Sequence, residues 1–306
     1  MGAALEIAHV TKRFRRFRRA PLTVLDDLSL DLREGEIFGF LGPNGAGKTT
    51  TLQIALGLLR SDQGDVRVLG ATMDRPEIRR RVGFVPDAPM FPKGMRALEA
   101  LEYHARLLGM PRIEARARAV ARLERMFLGD AADRRIATLS RGMLQRLGLA
   151  QALLGDPDLL LLDEPVASLD PGGIHLVRSV LLEAKSRGAT VLVSSHLLSE
   201  VERISDRVAF LREGRLLAVH EVAAVPNTVA VRIRLARPLG PEAATSLGDL
   251  APTGSTISCA IGSEAEIPDL VRRVVAAGAD VVAVEPGESR PNLEALYFRY
   301  VEGRPN

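Results

Sequence analysis

Short apolar runs alternate with stretches of helical spacing from about residue 36 to residue 215. This alternation is typical of a mostly parallel sheet with helices packed on it, and it predicts an α/β fold. Two earlier segments, residues 5–10 and 24–32, instead alternate apolar and polar residues. Because successive side chains of a strand point to opposite faces, that period of two predicts an antiparallel β subdomain, with residues 13–21 as its connection.

Strand signals disappear between about residues 87 and 155. Apolar residues there take helical spacing over 96–108, 111–127 and 143–154. We interpret this part of the chain as a helical subdomain inserted into the α/β core.

The pattern changes again after Gly214. Strand-like segments at 229–235, 255–261 and 279–284 are separated by two helical stretches. This order predicts a small C-terminal α+β domain. We therefore expect two domains, the first over residues 1–218 and the second over residues 219–306.

A phosphate-binding loop is the strongest motif in the chain. Residues 42–50 match the pattern G-x-x-x-x-G-K-[ST], between an apolar run that predicts a strand and a stretch that predicts a helix. Glycines let successive backbone N–H groups point at one anion, and the start of the helix adds its positive dipole end. A nucleoside triphosphate is expected to bind through the whole run: Gly42, Pro43, Asn44, Gly45, Ala46, Gly47, Lys48, Thr49 and Thr50.

Two side chains of this loop have separate expected roles. Lys48 is expected to bridge the β and γ phosphates, and Thr49 to offer its hydroxyl to Mg²⁺. Further along, four leucines in a row end in Asp163 and Glu164. A strand with so apolar a sequence is expected at the centre of the sheet. Its two acids therefore emerge at the carboxyl edge, beside the phosphate loop. Asp163 is expected to hold Mg²⁺, and Glu164 to accept a proton from the attacking water.

Composition and charge narrow the class of protein. The formal net charge of +3 is modest, and 46% of the residues are hydrophobic, as in a soluble globular protein. No apolar run approaches the length that crosses a bilayer, and residues 1–4 lack the build of a signal peptide, so a cytoplasmic location is expected. The single cysteine, Cys259, excludes an internal disulfide and a cysteine-based metal cage.

A third motif, Leu139-Ser140-Arg141-Gly142, opens a helical stretch just before the acidic strand, with Ser140 as a plausible N-cap. Phosphate loop, Ser-x-Gly helix start and acidic strand, in this order, resemble the nucleotide-binding subunits of ABC transporters, whose signature is written LSGGQ. The resemblance covers residues 5–215. It implies a P-loop NTPase core of the ABC type, ATP and Mg²⁺ as ligands, and a dimer in which Ser140 and Gly142 of one subunit face the γ-phosphate held by the other.

Two further pieces match the same family. Residues 167–170 end in Asp170 and resemble the D-loop, which in that family runs along the dimer seam. The apolar run at residues 190–195 predicts another buried strand, and His196 follows it directly. The resemblance implies that His196 contacts the γ-phosphate and orients both the water and Glu164.

Three positions depart from the family pattern. Asp87 stands where the family usually has a glutamine that touches Mg²⁺ and couples the site to the membrane partner. Aspartate could reach the metal through water but cannot donate a hydrogen bond, so coupling through Asp87 stays open. Arg141 and Met143 replace the first glycine and the glutamine of the signature. Phosphate contacts there are expected to depend on Ser140 and backbone N–H groups.

The basic run at residues 12–19 has two interpretations, a surface for lipid headgroups or nucleic acid, and a solvated hairpin tip. We favour the tip for its arginines, and we expect no nucleic-acid partner. The resemblance implies that Phe14 stacks on adenine, and Phe17 is the alternative platform.

The combined prediction is an ATP-hydrolysing subunit that powers a separate integral membrane permease. The C-terminal addition resembles that of ABC-2-type exporters, which implies export of a drug, ion or lipid-like substrate. The subunit is expected at the inner face of the cell membrane, as a homodimer or paired with a paralogous ATPase subunit. The alternative is a soluble ABC-type ATPase that acts on nucleic acid or ribosomes. The paired ATPase halves or long coiled coils usual for that class are absent from this sequence.

Overall fold

The computed structural model describes residues 2–16, 19–222, 229–239, 254–261 and 264–286, together with residues 247, 250, 297, 300 and 301. Within these ranges, no helix combines the length and apolar character that a membrane crossing requires.

The described strands, in chain order, are β1 (Ala3–Arg16), β2 (Arg19–Arg33), β3 (Ile37–Leu41), β4 (Gln63–Val68), β5 (Val82–Val85), β6 (Leu159–Asp163), β7 (Thr190–Ser195), β8 (Arg207–Arg212), β9 (Arg215–Glu221), β10 (Val229–Leu235), β11 (Thr256–Ile261) and β12 (Val281–Pro286).

The described α-helices are α1 (Lys48–Ala55), α2 (Pro76–Arg79), α3 (Ala97–Leu107), α4 (Arg112–Arg125), α5 (Arg141–Ala152), α6 (Pro171–Ser186), α7 (Leu198–Glu202) and α8 (Ile267–Ala276). Short 3-10 turns occupy Gly129–Ala131, Ile136–Thr138 and Glu264–Glu266.

The central sheet has the strand order β5-β6-β7-β3-β8-β9. Its strands are parallel from β5 to β8, and β9 adds an antiparallel edge. In β6, Leu160 and Leu162 enter one hydrophobic core while Leu159 and Leu161 enter another. A strand covered on both faces carries apolar residues at every position, which explains why β6 shows no alternation. The predicted α/β core is confirmed.

A second, antiparallel sheet has the order β2-β1-β4. The pairing of β1 with β2 continues through Arg13 opposite Thr23 and Phe14 opposite Leu22. The predicted connection over residues 13–21 is therefore shorter than expected, because its first residues belong to β1 and its last belong to β2. The edge strand β4 was not predicted, since most of its residues are exposed and polar.

Helices α3, α4 and α5 lie between β5 and β6 in the chain and form the helical layer. Leu101 of α3, Leu123 of α4 and Leu147 of α5 are buried in the same core as Leu160 of β6. The helices therefore pack against each other and against one face of the central sheet.

The chain divides into two compact units. The first contains the residues up to Val222 and the described residues from Tyr297 onward, and the second contains the described residues between them. In the first unit, the ring of Tyr300 stacks on Phe210 at 5.7 Å between centroids. The predicted domain boundary at residue 218 stays a prediction.

The second unit contains an antiparallel sheet of order β11-β10-β12 and helix α8. Alternate residues of β10, Val231 and Ile233, are buried together with Leu270 and Val274 of α8. This is the predicted small α+β arrangement, with its own core.

Candidate nucleotide-binding site

The predicted phosphate loop joins the end of β3 to the start of α1. Gly47 has a φ of 108° and Gly45 a φ of 82°, a region that glycine adopts without strain. A side chain at position 47 has no space, because a Cβ there would lie 2.6 Å from a methyl group of Leu25 and 3.0 Å from the carbonyl oxygen of Val24. The glycine therefore allows the loop to lie directly against β2. The loop and the first turn of α1 contain all the predicted phosphate-binding residues: Gly42, Pro43, Asn44, Gly45, Ala46, Gly47, Lys48, Thr49 and Thr50.

Lys48 begins α1 and its side chain turns back over the loop. Only 6% of the residue is exposed. Its Nζ donates to the carbonyl oxygen of Gly42 at 2.5 Å and to that of Pro43 at 3.4 Å, and it lies 3.3 Å from Oε1 of Glu164. The ammonium group is thus held by two carbonyl dipoles and one carboxylate at the end of the loop.

Asp163 is the last residue of β6 and links the loop to the neighbouring strand. Its Oδ2 accepts a hydrogen bond from Thr49 Oγ1 at 2.7 Å, and its Oδ1 accepts one from Ser194 Oγ at 2.5 Å. The pairing of Asp163 with Ser194 across β6 and β7 fixes this geometry. A hydroxyl and a carboxylate side by side are the hard oxygen ligands that Mg²⁺ prefers, so this donor set fits the predicted cation.

Glu164 follows the strand with a φ of 47°, an uncommon conformation for a residue other than glycine. Its backbone N–H donates to the carbonyl oxygen of Ser194 at 3.1 Å. Its Oε2 lies 2.8 Å from Nδ1 of His196. The other oxygen, Oε1, is buried and has no hydrogen-bond donor among the described residues, although Lys48 lies close enough for an ion pair. A carboxylate held in this way can accept a proton from a water molecule.

These residues form one group, which we call the strand-end cluster: Lys48, Thr49, Asp163, Glu164 and His196. They come from the end of β3 and its loop, the end of β6 and the end of β7, which are neighbours in the sheet. Since the carboxyl ends of parallel strands meet at one edge, residues more than a hundred positions apart come together there.

The predicted signature residues lie at the start of α5. Ser140 is the N-cap, and its Oγ accepts a hydrogen bond from the backbone N–H of Met143 at 3.2 Å. A Cβ at Gly142 would lie 3.4 Å from Leu169 and from the carbonyl oxygen of Ser168. The signature therefore packs against the predicted D-loop of the same chain.

Asp170, the predicted D-loop residue, is the N-cap of α6 and accepts a hydrogen bond from the backbone N–H of Gly173 at 2.9 Å. Among the described residues, no hydrogen bond or ion pair joins Ser140 or Asp170 to the strand-end cluster. The single chain thus presents two separate groups of predicted site residues.

Asp87, the predicted additional metal contact, lies two residues beyond the end of β5 and is exposed. Strand β5 is next to β6, so Asp87 emerges at the same edge of the sheet as Asp163. The side chains of the two residues make no direct hydrogen bond within the described part of the chain.

Phe14, the predicted adenine platform, lies on β1 and is 39% exposed. Lys12, two residues before it, pairs with Leu25 of β2, the residue that contacts Gly47. A strand advances about 3.3 Å per residue, so Phe14 lies about 7 Å along the strand from that contact. The alternative platform, Phe17, lies outside the described residues.

Ser194 is a site residue that the sequence interpretation missed. It hydrogen-bonds Asp163, and its carbonyl oxygen accepts from the N–H of Glu164. The available signal was the pair of serines that closes an otherwise apolar strand next to His196.

Comparison with known proteins gives a consistent result. The family model described as ABC transporter matches residues 25–167. The chain is 41% identical over 225 residues to the uncharacterized ABC transporter ATP-binding protein YhcH of Bacillus subtilis, a match that spans 72% of this chain and 71% of the relative. It is 36% identical over 266 residues to the Nod factor export ATP-binding protein I of Paraburkholderia xenovorans, with 84% and 86% covered. The bacitracin transport ATP-binding protein BcrA of Bacillus licheniformis is 40% identical, over 63% of both chains.

Solved structures agree in fold. A dimeric bacterial ABC transporter cassette matches with a TM-score of 0.67 and 27% identity, over 72% of this chain and 99% of the other. An ATP-binding cassette in a dimeric post-hydrolysis state with ADP and Pi matches with a TM-score of 0.66 and 26% identity, over the same shares.

Proposed function

The chain belongs to the ABC transporter family of ATP-binding proteins, and from that premise we propose how its residues bind and hydrolyse ATP to energise export through a separate permease. The observation that carries the proposal is the strand-end cluster, in which Lys48 contacts Glu164, and Glu164 contacts His196. A phosphate-binding cation, a proton acceptor and a histidine thus meet at the end of one phosphate loop.

Binding begins with the phosphates. Backbone N–H groups of the phosphate loop and of the start of α1 receive the β-phosphate, and Lys48 adds its ammonium charge between the β and γ phosphates. Phe14 provides an aromatic surface for the adenine base. Since stacking is available to every base, selectivity among bases is expected to be loose.

Thr49 and Asp163 would hold Mg²⁺, which would neutralise charge on the phosphate oxygens when it is bound. Ser194 orients Asp163 through the 2.5 Å hydrogen bond to Oδ1. Asp87 is a further candidate for contact with Mg²⁺, because it emerges at the same edge of the sheet. Its side chain is shorter than that of the usual glutamine, so the contact would pass through water.

Hydrolysis uses Glu164 as the general base. The water oxygen forms a bond to the γ-phosphorus, the bond from that phosphorus to the bridging oxygen breaks, and ADP leaves with the electron pair of that bond. The proton of the water passes to Glu164, whose buried Oε1 has no other hydrogen-bond donor among the described residues. His196 holds the second oxygen of the carboxylate. In this proposal it also contacts the γ-phosphate.

The complete site is formed by two subunits. Ser140, Gly142 and Asp170 lie apart from the strand-end cluster of their own chain and face the γ-phosphate bound by the other subunit. Because one chain contains both groups, a head-to-tail homodimer creates two equal sites, and a paralogous subunit could take the second place. One similar cassette is dimeric in two solved structures.

The partner is an integral membrane permease, and the chain works at the inner face of the cell membrane. Two relatives are named for export of Nod factor and transport of bacitracin, which supports export of an organic substrate. A short helix of the permease is expected to dock between the α/β core and the helical layer near Asp87, and closure and opening of the dimer would then move that helix.

The experiment is purification of the complex from membranes followed by ATPase assay in vesicles. Co-purification with a polytopic membrane protein, and ATP hydrolysis that the Glu164→Gln variant loses, support the proposal. Retention on ribosomes or DNA, without a membrane protein, contradicts it.

A further inference from the structure

We propose that Asp62 is a positioning residue for base binding: it holds the segment of β1 that contains Phe14 in the orientation that presents the ring to the nucleotide. The inference rests on the proposed role of Phe14 as the adenine platform. Three contacts of Asp62 support it, and each concerns a different residue of that segment.

The first contact is to the backbone of β1. The ladder between β1 and β2 has register shifts between Lys12 and Arg13 and again after Phe14. The extra residue at the first shift, Val24, lies on β2, because Lys12 pairs with Leu25 and Arg13 with Thr23. Arg13 lies beyond Thr11, where the pairing of β1 with β4 ends. Its N–H donates to Oδ2 of Asp62 at 2.5 Å, so the carboxylate bonds the backbone of β1 just past the start of β4.

The second contact comes from the other direction. The backbone N–H of Asp62 donates to the carbonyl oxygen of Thr11 at 2.9 Å, and Gln63, the first residue of β4, pairs with Thr11. The position of Asp62 is thus fixed by the sheet, and Asp62 in turn fixes the two residues that precede Phe14.

The third contact is to Lys12, whose ammonium lies over the Phe14 ring. Oδ1 of Asp62 lies 3.2 Å from Nζ of Lys12, and that ammonium lies 5.5 Å from the centroid of the Phe14 ring. A cation at this distance is attracted to the face of an aromatic ring. The ring keeps 39% of the residue's surface exposed, which leaves area for a base.

The carboxylate suits this role because both of its oxygens accept. The Arg13 N–H and the Lys12 ammonium lower the pKa of the Asp62 carboxyl, so it stays charged near neutral pH. Asparagine has one acceptor oxygen and presents donors on the other atom, so it loses one of the two contacts. The Asp62 side chain is 40% exposed, so its replacement leaves the hydrophobic core intact.

The test is a double-mutant cycle in the purified full chain, with Asp62→Asn, Phe14→Ala and the double variant. Calorimetry measures the Kd for Mg-ADP and for Mg-pyrophosphate, which has no base and is not consumed. Asp65→Asn is the matched control, because Asp65 is an exposed aspartate of the adjoining strand β4.

We expect Phe14→Ala to weaken ADP binding by about 5- to 150-fold, the range of base stacking on an aromatic ring. Asp62→Asn should weaken it by about two- to fivefold, the range of an exposed cation–π contact. Pyrophosphate binding should not change in either variant. In the double variant the effect of Asp62→Asn should disappear, because the residue acts through the ring. In the complex with the permease, Asp62→Asn should raise KM for ATP and leave kcat unchanged.

Two results overturn the inference alone: Asp62→Asn binds ADP as tightly as Asp65→Asn while Phe14→Ala binds it weakly, or the effects of Asp62→Asn and Phe14→Ala are additive. If Asp62→Asn weakens ADP and pyrophosphate binding equally, the inference is overturned for a different reason, since that result would mean damage to the phosphate loop. Unchanged ADP binding by Phe14→Ala overturns both the inference and the proposed platform.

Discussion

Lys48 and Glu164 form an ion pair, with Nζ of the lysine 3.3 Å from Oε1 of the glutamate. The phosphate loop and the end of β6 are therefore in direct contact, through the group that we propose binds phosphate and the group that we propose accepts the proton. Since Glu164 also contacts His196, a change at this carboxylate also alters the contacts of the residue that follows β7.

Replacement of Glu164 by Gln should stop hydrolysis while ATP still binds. The amide keeps the size of the side chain but cannot accept the proton of the water, so the rate in the complex should fall by about 10²- to 10⁴-fold. ATP affinity should not fall, because the change removes only a carboxylate that competes with the phosphates for the ammonium group of Lys48. Steady-state hydrolysis and equilibrium binding measure the two effects, and the exposed Glu77→Gln is the control. Hydrolysis at the wild-type rate would remove Glu164 from its assigned role.

Replacement of Ser194 by Ala should raise the Mg²⁺ concentration needed for activity. The change removes the hydroxyl that donates to Asp163 Oδ1, and loss of a residue that orients a metal ligand weakens metal affinity by about 10- to 100-fold. A Mg²⁺ titration of hydrolysis at fixed ATP measures it. Ser195→Ala is the matched control, because its hydroxyl accepts from the N–H of Leu197 instead. Equal titration curves for the two variants would contradict the assignment.

Part of the loss of stability of the first unit in acid should come from protonation of Asp156. Burial alone would raise the pKa of Asp156, but hydrogen bonds and charges from Arg118 and Arg122 outweigh it and lower the pKa. A carboxyl with a lower pKa in the folded than in the unfolded chain, where it is about 3.9, adds stability above that value. This contribution is lost as pH falls through the folded pKa.

Asp156→Asn should therefore reduce the melting temperature at pH 7. Between pH 5 and pH 3, the melting temperature of the variant should fall by less than that of the wild type. Asparagine tolerates the φ of 47° at this position, so the change removes charge without backbone strain. Thermal unfolding followed by circular dichroism measures it, with the exposed Asp130→Asn as control. Parallel pH profiles for wild type and Asp156→Asn would refute the prediction.

Much of the fold could be predicted because its strongest signals are local. The leucine run of β6 and the phosphate loop need only neighbouring residues to be recognised. Strand β4 was missed because a polar, exposed edge strand has neither an apolar run nor a clear alternation. The helix predicted to residue 127 ends at Arg125, because the chain turns to a positive φ at Phe127.

The site divides in the same way. Lys48, Asp163 and Glu164 belong to motifs with fixed spacing, whereas Ser194 and Asp62 act through partners that are distant in sequence. Ser194 meets Asp163 across a parallel strand pair, and Asp62 meets Arg13 where the pairing of β1 with β4 ends. Contacts of this kind depend on register and side-chain reach, which a single sequence does not specify.

Two inactive variants should complement each other if the site is shared between copies. Lys48→Ala removes the proposed phosphate contact, and Ser140→Arg blocks the helix start that we propose faces the phosphate from the other copy. A mixture forms dimers with one intact site, from the loop of one copy and the signature of the other, so ATPase activity of the complex should return in part. A mixture that stays as inactive as its components would contradict the shared site for a homodimer.

The most direct measurement is sedimentation of the Glu164→Gln variant with and without saturating Mg-ATP, alone and with its permease. The account predicts a shift from monomer to dimer that needs ATP, and that Ser140→Arg abolishes. A chain that remains monomeric under every one of these conditions would contradict it.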